Sequence, residues 1–285
     1  MKNINTLVED INSVLAAKGG WDAAVNEVFM KEMGETAMRR LTPSTAPRTK
    51  NLRMSNIGTP CTRKLWYYVN VPTMEKELPG NMHMKFMFGD IIETLVLSLA
   101  RAAGHKVEGC QDEVTIDGLK GHRDCVIDGM VIDVKSASTM SFDKFKYNRL
   151  KTEDPFGYIK QLTGYLAAAQ DDPLVTNKHE AGFLAIDKQH GHIVLDVYDL
   201  RDEVEDFRKE LADVREAVGS TTIIPERRWE PIPDGKSGNM KLPAACSYCD
   251  YKKDCWPGLR MFLYSNGPKF LTKVVEEPRV MEGEF

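Results

Sequence analysis

The sequence predicts an α/β fold in which helices flank a central mixed β-sheet. Two observations carry this: runs with a two-residue apolar period alternate with runs of helical period, and an Asp-Gly dipeptide at 128–129 sits between two strand-like runs. Residues 1 to about 40 read as two helices. Leu7, Ile11, Val14 and Leu15 lie on one apolar stripe, and Trp21, Val25, Phe29 and Met33 on or near another. A polar, proline-containing stretch from Leu41 to Pro60 reads as a linker or long surface loop. The core is expected from near Met54, with a helix after Cys61 and a longer one from about Phe86 to Ala103. Strands follow near 112–117, 121–127 and 130–135, helices near 140–148 and 156–170, strands at 181–187 and 192–198, and a charged helix at 200–217. This gives residues 1–53 as a helical arm and linker, 54–265 as the core, and 266–285 as a tail.

Composition narrows the class. Hydrophobic content of 42% and charged content of 28% suit a globular protein, and no apolar run nears the roughly 20 residues of a bilayer span. The first twenty residues place acids where a signal peptide has its apolar stretch, so a reducing cytoplasm is the expected location. Six cysteines are too few for a disulfide scaffold, and three crowd together at 246–255, which points to metal binding. The net charge of −4 gives no global footprint of nucleic-acid binding. Local basic stretches do exist at 144–151, 48–53 and Arg227-Arg228, and each reads equally well as solvated surface.

The most informative segment is GHRDCVIDGMVIDVK, residues 121–135. Asp-Gly favours a two-residue type I′ turn because both positions tolerate positive φ. If Ile127 and Met130 close the turn, Asp124 falls opposite Asp133 and His122 opposite Lys135, all on one face. Cys125, Ile127, Ile132 and Val134 then make the apolar face. Two carboxylates opposed across a strand pair repel, and a divalent cation removes the repulsion. Hard oxygen ligands suit Mg²⁺ or Mn²⁺. The competing reading is a solvent-facing strand pair whose charges have no role.

These residues resemble a known family. Asp124 with Asp133-Val134-Lys135 resembles the PD-(D/E)XK signature, and GHRD is similar to the version found in RecB-like nucleases. Upstream, Gly89-Asp90-Ile91-Ile92-Glu93 resembles the family's G-x-x-x-(H/E) helix, and downstream Gln161 to Tyr165 resembles its Q-x-x-x-Y motif. The resemblance implies a restriction-endonuclease-like core and a metal-dependent DNA nuclease. It implies that Glu93, Asp124, Asp133 and the carbonyl of Val134 hold one or two metal ions, and that Lys135 orients or helps deprotonate water. Gln161 and Tyr165 would position substrate or buttress the site. Many cluster-bearing relatives have His where Glu93 stands, and His122 lies in the wrong motif to replace it. Phe145 and Tyr147 read as stacking platforms for bases or as core residues.

Cys246-x2-Cys249-x5-Cys255 brings three thiols into one short segment, and Cys61 is the best fourth candidate. This arrangement resembles the iron-sulfur branch of the RecB-like nucleases, AddB and CRISPR-associated members included, over about residues 54–260. That implies a 4Fe-4S cluster held by Cys61, Cys246, Cys249 and Cys255, with zinc as the competing occupant. Cys125 is expected in the core, and Cys110 has no assignment.

The function the resemblance implies is an exonuclease on single-stranded DNA ends, 5′ to 3′ favoured, in recombination, repair or processing. It is compatible with a stand-alone bacterial or phage protein. The alternatives are an endonuclease of the same fold and a non-catalytic stapled DNA-binding protein. No Walker A loop is present in the sequence, so a helicase or recombination protein would be a separate partner. A homo-oligomer is compatible with this reading, although no residue specifies its interface.

Overall fold

The computed structural model describes residues 2–17, 19–42, 50–71 and 79–284. Part of the expected linker, and the first two positions of the basic stretch at 48–53, lie outside the described residues. The chain divides into two compact units, one of Met1–Gly58 with Thr73–Ala212, the other of Thr59–Pro72 with Asp213–Phe285. No helix among the described residues is long and apolar enough to cross a membrane.

The first unit opens with helices α1 (Leu7–Ala16), α2 (Ala23–Leu41) and the short α3 (Met54–Ile57). Leu7 and Ile11 are fully buried, so α1 belongs to the core cluster rather than standing off it as an arm. Unit two contributes α4 (Thr62–Asn70) before the first unit resumes with α5 (Gly80–Ala102), which starts about two turns earlier than the sequence suggested. Strands β1 (Val107–Glu108), β2 (Glu113–Ile116), β3 (Leu119–His122), β4 (Cys125–Ile127) and β5 (Met130–Ala137) follow. Next come α6 (Thr139–Lys146), α7 (Tyr158–Ala168), β6 (Glu180–Asp187), β7 (Ile193–Asp199) and α8 (Arg201–Gly219), whose residues from Asp213 on belong to the second unit.

The main sheet has the order β1-β4-β5-β6-β7; β5 and β6 are parallel and the other pairings antiparallel, so it is mixed, as predicted. Both faces are covered. The even-numbered residues of β5, Met130, Ile132 and Val134, pack with Leu184, Ile186 and the apolar faces of α1 and α5. On the other face Phe183 meets Phe145 of α6 and Tyr158 of α7 edge-on or tilted, at 5.5 and 6.2 Å between ring centroids. The run expected at 121–127 as one strand is two. β3 pairs with β2 in a separate hairpin, and β4 joins the main sheet. The break falls at Arg123, whose guanidinium is turned inward at 2% exposure onto Gly109 O, Asp112 and Asp172. A buried guanidinium requires such partners, and meeting them swings the chain out of one ladder and into the next.

Helix α7 is set by close backbone and side-chain approaches at glycines. A Cβ on Gly121 would lie 2.3 Å from Met54 Cβ, and one on Gly164 would lie 2.4 Å from Met54 Sδ. Met54 of α3 therefore fills the space that two absent side chains leave between β3 and α7. At the start of α7, Gly157 has φ +75 and a Cβ there would lie 1.7 Å from the carbonyl oxygen of Gly58.

The second unit contains β8 (Ile232–Pro233), β9 (Met240–Lys241), α9 (Ala244–Ser247), α10 (Lys252–Cys255), β10 (Arg260–Tyr264), β11 (Gly267–Lys273) and β12 (Glu282–Gly283). Its strands form a sheet in the order β12-β10-β11-β9-β8, built around a β10–β11 hairpin whose second strand, with β12, occupies the stretch expected as a tail.

Gly157→Ala combines a left-handed backbone with a backbone overlap and is expected to destabilise the protein by at least about 2 kcal/mol. Chemical denaturation followed by circular dichroism measures it; a loss under about 0.5 kcal/mol would mean that the Gly58–Gly157 approach does not fix α7.

Candidate functional site

The turn of the β4–β5 hairpin has Asp128 at φ +50 and Gly129 at φ +84, the two positive values that a type I′ turn requires. The register is the one expected, with Cys125, Val126 and Ile127 opposite Ile132, Val131 and Met130. The ladder ends at Cys125, so Asp124 sits just beyond its last pair. Its Oδ2 accepts a hydrogen bond from the backbone N–H of Val134 at 2.7 Å, reaching over to β5.

Asp133 points to the α7 side of the sheet and is 2% exposed. Lys135 Nζ forms an ion pair with its Oδ2, and no hydrogen-bond donor is aligned on that buried oxygen. The Lys135 ammonium also lies 4.7 Å from the ring centroid of Tyr158 and 6.0 Å from that of Phe183. Glu93, on α5, accepts from Gln111 Nε2 at 2.6 Å. Gln161 Nε2 donates to the Tyr165 hydroxyl at 3.4 Å, and these two lie one turn apart on α7.

Electrostatics tie these groups together. Burial, then the charges of Asp133 and Glu93, raise the pKa of Asp124 well above its ordinary value. Burial also raises Glu93, assisted by the charges of Asp90 and Asp133. Burial opposes the charge on Lys135, but Asp133 and Asp124 outweigh it and hold its pKa above the ordinary lysine value. Tyr165 is pushed up to about 12, first by burial and further by Asp133 and Asp124. Glu93, Asp124, Asp133, Lys135 and Tyr165 thus share one electrostatic environment.

His122 does not join them. It lies exposed in β3 opposite Glu113, not opposite Lys135, because the chain leaves the ladder at Arg123. Phe145 is buried at 3% exposure and is a core ring, so it is not a platform for bases, whereas Tyr147 is 59% exposed between the cations of Lys146 and Arg149. The basic stretch at 144–151 is partly engaged locally, with Lys144 on Glu153 and Lys151 on Glu203. Tyr158 and Gln111 escaped the sequence reading. Tyr158 was within reach of it, since it stands three residues before Gln161 and seven before Tyr165, the spacing of one helical face. Gln111 carried no such signal.

No group of three or more His, Cys, Asp or Glu among the described residues stands at metal-ligating geometry. Asp124 and Glu93 each take a protein donor, and Asp133 is paired with Lys135. The chemistry of the set nonetheless fits a hard divalent cation. Asp133 adds negative charge beside Asp124 and Glu93, and its one buried oxygen lacks an aligned donor.

In the second unit, Cys61, Cys246, Cys249 and Cys255 line one cavity of about 40 Å³ together with Tyr67, Trp229, Tyr251 and Trp256. No disulfide joins them. Burial, followed by the proximity of Cys249, Cys61 and Cys255, pushes the Cys246 thiol up to about 11, and burial raises Cys249. The Tyr67 and Tyr251 rings stack at 5.6 Å beside this group. Cys125 is fully buried in the first unit's core, as expected.

The mixed sheet with flanking helices, carrying Asp133 and Lys135 on one face of β5, is consistent with a PD-(D/E)XK nuclease fold. The family model of the PD-(D/E)XK nuclease superfamily matches residues 71–256, more than half of the chain, and the chain belongs to that superfamily. Members of it usually use Mg²⁺ or Mn²⁺. A solved chain described as "Crystal structure of SSO0001" is similar over 81% of this chain and 95% of that one, at 15% identity and a TM-score of 0.40. No curated protein matches the sequence.

Raised carboxylate pKa values carry a stability consequence. The folded state holds these protons more tightly than the unfolded chain, so stability falls as pH rises from the ordinary carboxylate range through the folded values. Asp124→Asn, which keeps an acceptor for Val134 N–H, is therefore expected to raise the melting temperature of chelator-treated protein by several degrees at pH 8. The gain should shrink toward pH 4. Thermal unfolding at the two pH values checks it, and equal melting at pH 8 would refute the repulsion.

Proposed function

We propose that the chain is a Mg²⁺- or Mn²⁺-dependent deoxyribonuclease that degrades DNA from single-stranded ends, in the 5′ to 3′ direction. The observation that supports it best is the set of buried Asp133 with half-buried Asp124 and Glu93, and Lys135 held on Asp133. Glu93, Asp124, Asp133 and the carbonyl of Val134 would hold the cation, which supplies Lewis acidity and a lowered pKa for water when bound. Lys135 places a fixed positive charge beside the reacting phosphate, and its ion pair with Asp133 and the Tyr158 ring restrict where that charge can sit. Water's oxygen forms the new bond to phosphorus as the bond to the 3′ oxygen breaks, and the 3′ oxygen takes up a proton. Gln161, hydrogen-bonded to Tyr165, would position substrate from α7. The preference for ends and the polarity follow from the resemblance to cluster-bearing exonucleases, as does a role in recombination or repair beside a separate helicase.

The same reading assigns a 4Fe-4S cluster, with zinc as the competing occupant, to Cys61, Cys246, Cys249 and Cys255. Four free thiols lining one cavity support it. Its role would be structural, since it joins the two chain segments from which the second unit is made.

Cleavage of 5′- and 3′-labelled linear DNA and of circular single strands, each with and without Mn²⁺, tests the activity. Asp133→Ala is expected to lower the rate by more than about a hundredfold, because outer-shell changes at metal sites already cost roughly 10–100-fold. Cutting of circles at the linear rate would make the enzyme an endonuclease, and no metal-dependent cutting of any substrate would refute the proposal. Anaerobically purified protein is expected to be brown with iron and sulfide at cluster stoichiometry. Cys246→Ser should be colourless, and its residues 213–285 cleaved faster by protease. A colourless wild type holding one zinc would assign the site to zinc.

A further inference from the structure

Helices α2 and α5 run antiparallel within the first unit. Thr36 meets Thr94 at 3.0 Å, Arg40 Nη2 donates to Asp90 Oδ1 at 2.9 Å, and Arg101 Nη1 donates to Glu32 at 2.7 Å. The end of this pair formed by residues 37–41 and 80–89 has an unusual surface. Met38, Leu41, Met84, Phe86 and Phe88 are all 40% or more exposed, the last at 53%. The same stretches contain Arg39, Arg40, His83 and Lys85 and no acid. In a chain of net charge −4 this is a local concentration of cations and exposed rings. Acids begin at Asp90, where Arg40 binds through two nitrogens and Arg39 Nη2 approaches to 3.7 Å. The Arg40 guanidinium also lies 5.7 Å from the Phe86 ring centroid.

The position of this surface matters more than its composition. Phe86, Phe88, Asp90 and Glu93 follow one another along a single helix, so along its axis Phe86 stands about 10 Å and Phe88 about 8 Å before Glu93, at roughly 1.5 Å per residue. Arg39 is close enough to the centre for its charge to be felt by Glu93. Cations beside exposed aromatic faces form the surface on which an unpaired strand binds: phosphates meet the guanidinium and ammonium groups, and bases stack on the rings. Methionine side chains adapt to any base. A duplex fits less well, because its bases already stack on one another.

We propose that the 37–41 and 80–89 end of the α2–α5 pair is the surface that binds the incoming single strand and feeds it to the metal centre, with Arg39 on a phosphate and Phe88 under a base. This rests on the nuclease reading above and names the part of the molecule that would select single-stranded substrate. The observations favour nucleic acid over a second copy of this chain, because an identical surface would bring like charges together.

The test is fluorescence anisotropy of a labelled single-stranded oligonucleotide with the full-length Asp133→Ala protein in Ca²⁺, with and without Arg39→Gln and Phe88→Ala together. Both positions are more than half exposed at the side chain or residue level, so the fold should be retained. Met140→Ala, at a residue 80% exposed on α6, serves as the control. The double change is expected to weaken single-strand binding about tenfold or more and to flatten its salt dependence, while the control matches the parent. An unchanged dissociation constant, an equal loss on a blunt duplex, or a change confined to self-association measured by light scattering would each overturn the assignment. Separate cleavage assays on wild type distinguish the two failures. If wild type cleaves DNA and the double change leaves binding intact, only the strand surface is wrong; if wild type neither binds nor cleaves DNA, both readings fall.

Discussion

Three carboxylates brought into a common, largely buried environment repel one another, and the first unit is organised around bearing that repulsion. Asp133 is buried on β5, Asp124 follows from the hairpin register, and Glu93 arrives from α5. Burial disfavours the charged forms of Asp124 and Glu93, and the neighbouring charge of Asp133 adds to the cost, so both bind protons more tightly than free carboxylates. Lys135 offsets part of this through its ion pair with Asp133, while Val134 N–H and the Gln111 amide engage the other two. Such an arrangement is costly for stability, a cost that the proposed divalent cation would offset when bound.

Holding these groups requires rigid neighbours. The even-numbered residues of β5 are locked into the apolar layer against α1 and α5, which fixes the opposite face on which Asp133 and Lys135 stand. On that face α7 must approach closely enough to bring Tyr158 to Lys135 and Tyr165 into the field of the carboxylates. Gly121 and Gly164 leave room for Met54, and Gly58 and Gly157 let two backbones touch. The glycine of the GHRD segment and the glycine of QLTGY are thus packing requirements of the same site their neighbours compose.

The hairpin was legible because its signals are local. Asp-Gly sets the turn, a period of two sets the faces, and counting sets the register, so Asp124 and Asp133 could be brought together from sequence alone. What failed depended on distant partners. Arg123 reads as an ordinary strand residue until Asp112 and Asp172 draw it inward, and only then does His122 part from Lys135. Phe145 changes from platform to core only once Phe183 and Tyr158 stand beside it. The C-terminal sheet is a different case. Asn266-Gly267 lies between β-patterned runs and is a usable local hairpin signal, with Gly267 at φ +116, yet the sequence division at 265 leaves β10 in the core and β11 in the tail.

The second unit is discontinuous, and the proposed cysteine centre would link its two segments. Residues 59–72 and 213–285 must find each other with the whole of β1 to β7 between them in the chain. Local stitching is present: Arg63 donates to Pro225 O, Asn70 to Val218 O, and the Tyr67 hydroxyl to Asp254 O. The buried apolar groups of this region are small, with Trp66, Tyr67 and Tyr251 in one cluster and Leu242, Leu259 and Phe270 in another. Closing a long loop costs entropy that a few hydrogen bonds and small clusters offset only in part. One thiol from the short segment and three from the long one, lining a shared cavity, are the groups through which a bound centre would add a link that non-covalent packing supplies only weakly. Under the proposed assignment, a single cysteine far upstream of a close triplet would join the two segments of this unit, whereas a metal site confined to one loop would tie nothing but that loop.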